Sequence, residues 1–407
     1  MTNDEILQAM VQRATRRRFL QRAGALGVGT LALPGLLAAC GDDDEESGST
    51  ATAEQTAGPA EVPAASGRLD YLSWEGYDIP DAMKAWRKAN SIEIKTNYIA
   101  NHDDIQGKIK AAGSAGGFDI ITYYQGYKPL YAQLEILKPI DENKLPNLGN
   151  LGESWGGDLG NFWVDADGTR TGVPWTWTPL GISYDESKTE APASNYDLLD
   201  PKFKGKVAVV DDPTGAWAMS AHILGLKPDE VKKADLAKIN DFLSQMIAQS
   251  SGVSPSFGDV TTKLTSGDAV VAFQGWTAVN QFAADAGTKT IKWTLPKEGG
   301  FTACDCWAIA STADNDDAVY SWMNETLKPD VHAAAADYVI GGVTVDDAYS
   351  LTSKTIQKLY PWRDTERQAE VLEQAPLYNN PPVESDEFVT FEEVLKNWQE
   401  LKAGAEA

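Results

Sequence analysis

The sequence predicts an α/β protein with two lobes, on three observations. From Leu69 onward, short apolar runs typical of strands alternate with longer stretches of helical periodicity. This alternation predicts α/β layers with largely parallel sheets. The chain has 407 residues, 43% of them apolar, so it is able to bury a large core and global disorder is excluded. Residues 68–407 exceed the usual size of one domain, which predicts two lobes.

The predicted strands are short apolar or alternating runs that end in turns. They are Leu69–Trp74, Ile92–Tyr98, Asp119–Tyr123, Leu180–Tyr184, Val207–Val210, Val270–Gln274, Ile291–Leu295 and Trp307–Ile309. The predicted helices carry apolar residues at helical spacing. They are Pro80–Asn90, Asp103–Ala112, Pro228–Ser250, Thr277–Asp285, Asn315–Thr326, Pro329–Val339 and Glu384–Ala403.

Two turn-rich segments indicate where the chain crosses between the lobes. The first is 174–179, which begins and ends with Pro, and the second is Gly299-Gly300. We therefore expect residues 68–177 and 304–375 to form lobe 1 and residues 178–303 to form lobe 2. Residues 376–407 are expected to form a C-terminal segment and helix that pack on the lobes.

The N-terminal residues predict export and a lipid anchor. Residues 1–39 are interpreted as a signal peptide, because Thr15–Gln21 resembles the twin-arginine consensus and the stretch that follows is uncharged. The segment Leu37–Cys40 resembles a lipobox, in which Cys40 is diacylated, and two acyl chains suffice for stable anchoring. Residues 40–67 are polar and acidic and predict a disordered linker. The expected location is the periplasm or the outer face of the cytoplasmic membrane, with membrane contact through the lipid anchor only.

Charge and cysteine content narrow the classes of partner. The chain has 59 acidic and 35 basic residues, a net charge of −24, and no Lys/Arg cluster in its globular part, which argues against nucleic acid. The acidic balance suits a cationic or neutral ligand, although acidic surfaces also serve solubility. Cys304 and Cys306 flank Asp305, and on a strand the two thiols share one face while Asp305 lies on the other. The sequence leaves open whether these two thiols are bonded.

Motifs for catalysis or metal binding are missing from the sequence. His102, His222 and His332 are isolated, with no zinc-binding spacing. No nucleophile elbow, Walker motif or dinucleotide fingerprint occurs. We therefore expect no metal, no cofactor and no enzymatic activity.

Aromatic and acidic residues recur where predicted strands give way to turns. They occur in Ser73–Tyr77, Phe118–Tyr124, Val210–Pro213 and Phe273–Trp276. Rings supply cation–π contacts and carboxylates supply charge-assisted hydrogen bonds, so such a cleft suits an alkyl-ammonium ligand. An alternative stays open for one of these segments, because Asp211 or Asp212 is also placed to cap the helix that follows.

The chain resembles the family 1 extracellular solute-binding proteins of ABC importers and is similar in particular to the spermidine/putrescine-binding group. The resemblance covers about Leu69 to Ala403. It rests on the segments Leu72–Tyr77, Phe118–Ile121, Gly172–Trp177, Tyr184-Asp185, Phe203–Val207 with Asp211-Asp212, Pro296–Gly300, Asp305 and Leu327–Asp330.

The resemblance implies a type II periplasmic-binding-protein-like fold, whose two α/β lobes are joined by hinge crossings around a ligand cleft. It also implies a function, the capture of a polyamine or related cationic organic solute for delivery to the transmembrane subunits of an ABC permease, by a chain expected to be a monomer. By position, Trp74 and Tyr77 correspond to the aromatic residues that line the ligand site in the family. Asp212 and Asp305 correspond to the carboxylates that face the ligand's ammonium groups.

The remaining expected ligand-binding residues depart somewhat from the family pattern. Trp276 lies one place from a family Trp, Tyr124 stands at a family Ser, and Glu75 is an acid where the family often has a hydroxyl. Polyamine binders carry Glu three residues after the Asp that matches Asp212, and this chain has Gly215 there.

Other functions stay open from the sequence. The same scaffold is able to bind another small solute, or ferric ion through the adjacent Tyr123 and Tyr124, because tyrosinates with carboxylates suit Fe³⁺. On a strand, however, these two side chains point to opposite faces. A secreted enzyme or an interaction protein without transport is the remaining class.

Overall fold

The computed structural model describes residues 61–99, 102–112, 117–361 and 365–406. The predicted signal peptide, Cys40 and the linker as far as residue 60 lie outside the described residues. The chain divides into two units, Met1–Ala60 and Glu61–Ala407, and the second is the body described below. Within the described ranges, no helix is both long and apolar enough to cross a membrane. Ala65 already belongs to the core of this body, and the Ser66 carbonyl accepts a hydrogen bond from Asn315 Nδ2 at 2.9 Å.

The described strands form one mixed sheet with the order β2-β1-β3-β9-β4-β7-β5-β6, while β8 and β10 also pair with β4. Their bounds are β1 Arg68–Ser73, β2 Glu93–Tyr98, β3 Ile120–Tyr124, β4 Val173–Asp185, β5 Val207–Val210, β6 Ser250–Ser254, β7 Val271–Trp276, β8 Ile291–Thr294, β9 Phe301–Ile309 and β10 Gly342–Val343.

The expectation of largely parallel sheets is wrong for the middle of the sheet. Parallel pairing is confined to the two ends, where β1 pairs with β2 and β3, and β5 pairs with β6 and β7. In between, β4 and β9 run antiparallel to each other and to their outer neighbours. Strand–helix alternation along the chain predicts parallel strands joined by helical crossovers. It gives no indication of the two long antiparallel strands, β4 and β9, in the centre of the sheet.

The two long central strands are each longer than the sequence predicts. The segment 174–179, interpreted as a hinge, lies inside β4, and residues 301–306 form the first part of β9. Pro174 lies at a register shift in the pairing of β4 with β9, a position where a residue without an N–H disturbs the ladder least. The crossing segment is therefore built of paired strand and not of free loop.

The helices surround this sheet. Their bounds are α1 Lys84–Asn90, α2 His102–Ala112, α3 Lys128–Gln133, α4 Glu153–Gly156, α5 Pro213–Ile223, α6 Leu236–Ala248, α7 Phe257–Ser266, α8 Thr277–Asp285, α9 Asp316–Thr326, α10 Pro329–Val339, α11 Lys354–Leu359, α12 Thr365–Gln374 and α13 Phe391–Glu406. Three predicted helices begin too early, because α1 starts at Lys84 instead of 80, α6 at Leu236 instead of 228 and α13 at Phe391 instead of 384. The helix α5 is not among the helices predicted from apolar periodicity, because nearly all of its residues are buried and it shows no alternation of polar and apolar faces. Its sequence signal is the placement of Asp211 or Asp212 as a cap.

Buried apolar residues form separate cores along the sheet. One core draws on residues 65–175 and 307–348, and another on residues 180–301 and 389–398. The chain leaves the first core for the second within β4, between Trp175 and Leu180. A cleft between two packed bodies is where small-ligand sites commonly occur, and the candidate residues lie near this passage. The division into lobes at 177 and 304 stays a prediction.

Candidate ligand-binding site

Asp305 is held in the middle of the sheet. It lies on β9 opposite Tyr124 of β3 and opposite Thr176 of β4. As the period of a strand requires, Cys304 and Cys306 face the other way, and both are free thiols buried in the core. The carboxylate of Asp305 therefore lies on the opposite face of the sheet from the two thiols.

Tyr77 connects the turn after β1 to this carboxylate. Its hydroxyl donates a hydrogen bond to Asp305 Oδ2 at 2.9 Å. Its ring is fixed by an edge-on contact with Trp175, at 4.9 Å between centroids. Burial raises the pKa of Asp305 to about 7, and the hydrogen bond from Tyr77 lowers it only in part. The free protein thus holds a carboxylate with little compensation for its charge, an arrangement that favours a cationic ligand.

A small cavity of about 20 Å³ adjoins Asp305. This volume has room for roughly one water molecule. Three predicted ligand-binding residues line the cavity: Asp305, Tyr77 and Trp276. The rest of its wall is formed by Thr176, Trp177, Thr178, Ala303, Val339 and Gly341. The cavity brings together one carboxylate, a phenol and two indoles, which is the chemistry of an ammonium site.

Asp212 lies at the N-terminus of α5 and caps that helix. Its Oδ1 accepts hydrogen bonds from the Gly215 amide and from Thr214 Oγ1, both at 3.0 Å. The capping alternative is therefore confirmed for Asp212. Burial raises its pKa, against the hydrogen bonds from Gly215 and Thr214, which lower it. The neighbouring Asp211 points elsewhere, because it accepts from Trp398 Nε1 at 2.7 Å and pairs with Lys402.

Tyr124 is the link between the two carboxylates. Burial raises its pKa well above the usual range, and the negative charges of Asp212 and Asp305 both add to this shift. Its hydroxyl donates a hydrogen bond to Asn380 Oδ1 at 2.7 Å. Sequence reasoning missed Asn380, which lies in the irregular segment before α13 and carried no signal of its own.

Trp74 and Glu75 lie at the edge of this arrangement. Trp74 is half-buried and packs edge-on against His102 at 5.3 Å, and His102 in turn contacts the Tyr124 ring at 5.4 Å. Burial lowers the pKa of His102 to about 3, so His102 is a neutral ring at ordinary pH. The side chain of Glu75 is exposed. Of the seven predicted residues, Glu75 is the only one that is exposed.

The indole of Trp276, at the end of β7, is held by two further rings, Phe257 at 5.3 Å and Phe282 at 5.5 Å. Next to it, Thr277 Oγ1 donates to the hydroxyl of Tyr360 at 2.8 Å. The same hydroxyl lies 3.1 Å from the Ile340 carbonyl oxygen and 3.2 Å from Thr178 Oγ1. Tyr360 was not predicted, and it joins segments that contact both sides of the cavity.

The geometry does not favour the ferric alternative. Tyr123 lies in the core with its ring 5.2 Å from that of Tyr131, while Tyr124 faces Asn380. The two phenols therefore diverge, as their neighbouring positions on a strand require. Within the part of the chain that the structure describes, no group of three or more His, Cys, Asp or Glu side chains is placed to hold a metal ion.

The family model and the similar proteins of known function all indicate the same family. Residues 81–360 match the model of the family described as bacterial extracellular solute-binding protein. The putrescine-binding periplasmic protein SpuD of Pseudomonas aeruginosa is 24% identical over 360 residues, which cover 83% of this chain and 92% of SpuD. The putrescine-binding periplasmic protein PotF of Escherichia coli is 25% identical over 317 residues, covering 73% of this chain and 84% of PotF.

Solved structures agree on the fold. The spermidine/putrescine ABC transporter substrate-binding protein PotD of Streptococcus pneumoniae superposes with a TM-score of 0.67 at 17% identity, over 84% of this chain and 98% of PotD. The type II periplasmic-binding-protein-like fold expected from the sequence is thereby confirmed. The chain belongs to the family of bacterial extracellular solute-binding proteins.

Proposed function

We propose that this chain is the ligand-capturing receptor of an ABC importer and binds a polyamine such as putrescine, or a related cationic organic solute. The observation that carries the proposal is the pairing of Asp305 with Tyr77 beside the wall formed by Trp177 and Trp276. A partly buried carboxylate with, among the described residues, a single side-chain hydrogen bond attracts a cation, and aromatic walls suit the alkyl chain of that cation. The relatives are putrescine-binding or spermidine/putrescine-binding proteins, which supports the same ligand class.

In this proposal the second end of the ligand lies toward Asp212. The charges of Asp212 and Asp305 both raise the pKa of Tyr124, and in this proposal an extended diamine lies between the two carboxylates, past the Tyr124 ring. The cavity of about 20 Å³ is smaller than a diamine. Binding therefore requires the walls to separate and close again, as expected for a receptor with two lobes.

We further propose that the protein is exported, anchored through Cys40, acts as a monomer with the transmembrane subunits of the permease, and turns over no substrate. Replacement of Cys40 by Ser should release the protein from membranes. A variant that still fractionates with membranes in acylated form would overturn the anchor.

The ligand proposal is tested by titration calorimetry of the purified protein with putrescine, spermidine and 1,4-butanediol. Butanediol has the carbon chain of putrescine but no charge. We expect binding of at least one amine and none of the diol. Native mass spectrometry of the protein as purified reports independently which solute it carries. Absence of binding to any cationic solute would refute the ligand class and leave the family assignment intact.

A further inference from the structure

Gln274 is the extra residue of a β-bulge in β7, two residues before the cavity-lining Trp276. In the antiparallel pairing of β4 with β7, Gly181 lies opposite Gly275 and Ile182 lies opposite Phe273, so Gln274 has no partner. Its φ of 58° places it in the left-handed region, where residues other than Gly are uncommon. Bulges occur often next to functional sites, where they redirect a side chain out of the regular alternation.

The side chain of Gln274 is fully buried without hydrogen bonds. The exposed fraction of the residue is 0%. Among the described residues, neither Oε1 nor Nε2 has a hydrogen-bond partner. Buried side-chain amides in native proteins are nearly always satisfied, because an unpaired buried donor or acceptor destabilises the fold. A carboxamide with both ends unpaired, on a strained backbone, therefore indicates a partner that binds later.

The space next to this carboxamide is the cap of α5. A Cβ atom placed on Gly215 would lie 2.5 Å from Gln274 Nε2 and would also overlap Asp212 Oδ2. Gln274 and Asp212 thus approach Gly215 together, and no side chain larger than hydrogen fits between them. Both hydrogen bonds that the Asp212 side chain makes to Gly215 and Thr214 end on Oδ1, so Oδ2 is the oxygen on the side of the carboxamide.

We propose that Gln274 determines ligand specificity by binding the same ligand group as Asp212. Its Oε1 accepts a hydrogen bond from the ligand's ammonium, while Nε2 donates to Asp212 Oδ2. This end of the cleft then supplies one full negative charge and one neutral acceptor. Together with Asp305, the buried part of the cleft offers two carboxylates, which match a diamine with one charge at each end better than a triamine. The inference rests on the proposed function and names the ligand class within it.

Two substitutions separate this role from a structural one. Gln274→Met keeps the shape of the side chain and removes both unpaired polar ends. We expect the unliganded protein to melt at the same temperature or higher, because the unsatisfied groups are gone, and putrescine affinity to fall about 10-fold. A residue important only for packing would show the reverse, lower stability with unchanged affinity.

Gln274→Glu keeps the size and adds a second carboxylate at this end. We expect the ratio of spermidine affinity to putrescine affinity to rise about 10-fold, because the triamine gains an anion for its additional charge. Gln133→Glu is the matched control, since Gln133 is exposed at the end of α3. It makes the same change in net charge and should leave the ratio unchanged.

Titration calorimetry of the wild type and the three variants with putrescine and spermidine decides between the outcomes. If Gln274→Met does not fold, Gln274→Glu and its control carry the test. The inference is overturned if the wild type binds putrescine while neither Gln274 variant changes affinity or the ratio by more than Gln133→Glu does. If the wild type binds no amine, the proposed function fails first and this inference fails with it.

Discussion

Asp305 and Asp212, the two aspartates of the proposed ligand site, have the same side chain in opposite surroundings. Asp305 lies on a central strand, with one hydrogen bond from the Tyr77 hydroxyl and a pKa raised by burial to about 7. Asp212 lies at the start of a helix of eleven residues, where a backbone amide and a hydroxyl donate to it. The positive end of the helix dipole and the capping bonds stabilise a charge at Asp212, whereas among the described residues the Asp305 carboxylate accepts a hydrogen bond from the Tyr77 hydroxyl alone.

In the proposed function, this difference separates a carboxylate that stabilises the fold, Asp212, from one that receives the ligand's ammonium, Asp305. The charge of Asp212 is partly compensated before any ligand arrives, so its removal should affect both stability and binding. The charge of Asp305 is an electrostatic cost in the free protein that a bound ammonium would offset. The predictions below test this contrast.

The largest expected effect is that of Asp305→Asn on affinity. Truncation of one partner in a desolvated charge pair costs about 2–5 kcal/mol, which is roughly 30-fold or more in the dissociation constant for putrescine. The unliganded variant should melt no lower than the wild type at pH 8, because an unfavourable buried charge is removed. Calorimetry and thermal melting check the two parts, with Glu392→Gln, an exposed acid on α13, as the control. Equal affinity in variant and wild type would contradict the contrast.

The pH dependence of binding should follow Asp305. Its pKa in the folded protein is raised to about 7 from an ordinary value of 3.8, so the carboxyl is protonated as pH falls through 7 and no longer attracts an ammonium. Affinity should fall about 10-fold for each pH unit below 7 and level off above it. Asp212, whose pKa is also raised, adds to the loss at lower pH.

The stability of the unliganded protein should change in the opposite sense. The pKa of Asp305 is higher in the folded protein, about 7, than the ordinary value of 3.8 expected in the unfolded chain. The protonated carboxyl therefore contributes to the free energy of unfolding, fully below pH 3.8, and this contribution is lost as pH rises through about 7. Melting temperatures at a series of pH values, with and without putrescine, measure both trends. A wild-type profile that is flat between pH 6 and 8, or one identical to that of Asp305→Asn, would refute the assignment.

Next in size is the effect of Tyr77→Phe, which keeps the ring wall and removes the hydrogen bond to Asp305. A hydrogen bond to a charged group contributes about 1.5–3 kcal/mol, so putrescine affinity should fall about 10-fold or somewhat more. Without this donor the pKa of Asp305 should rise further, and the pH profile of binding should move to higher pH. Tyr196→Phe, at an exposed tyrosine, is the control. An unshifted pH profile would show that Tyr77 does not tune Asp305.

The smallest effect distinguishes the two roles of Asp212. Asp212→Ala should cost about 0.5–2 kcal/mol of stability, the usual cost of a lost N-cap, whereas Asp212→Asn keeps a good cap. Both variants lose the charge, so both should weaken amine binding to a similar degree. Chemical denaturation gives the stabilities and calorimetry gives the affinities. Equal stability of the Ala and Asn variants would mean that the cap contributes nothing.

Local patterns predict part of the geometry around Asp305. The alternation around Asp305 placed its carboxylate opposite the two thiols, as the structure shows, and the aromatic residues at strand ends identified Tyr77 and Trp276. What the sequence does not reveal depends on distant contacts. Tyr360 and Asn380 act through hydrogen bonds to segments far along the chain.

Backbone irregularity was also invisible in the sequence. Gln274 was interpreted as the end of a regular strand, and only the register of β7 against β4 shows that it bulges out of the ladder. The long β4 was divided by its prolines into a hinge and a short strand, because Pro usually ends a strand unless a register shift accommodates it. The amino-acid pattern of β4 alone does not indicate a shift in its pairing register with β9.

The most direct test of the central claim, that Asp305 receives the cation, is a crystal structure of the protein with putrescine. The account predicts one terminal nitrogen within about 2.7–3.0 Å of an Asp305 carboxylate oxygen. The alkyl chain should lie against Tyr77 and Trp276, and the second nitrogen should lie near Asp212. A complex in which putrescine occupies another site, with neither nitrogen in contact with Asp305, would contradict the account.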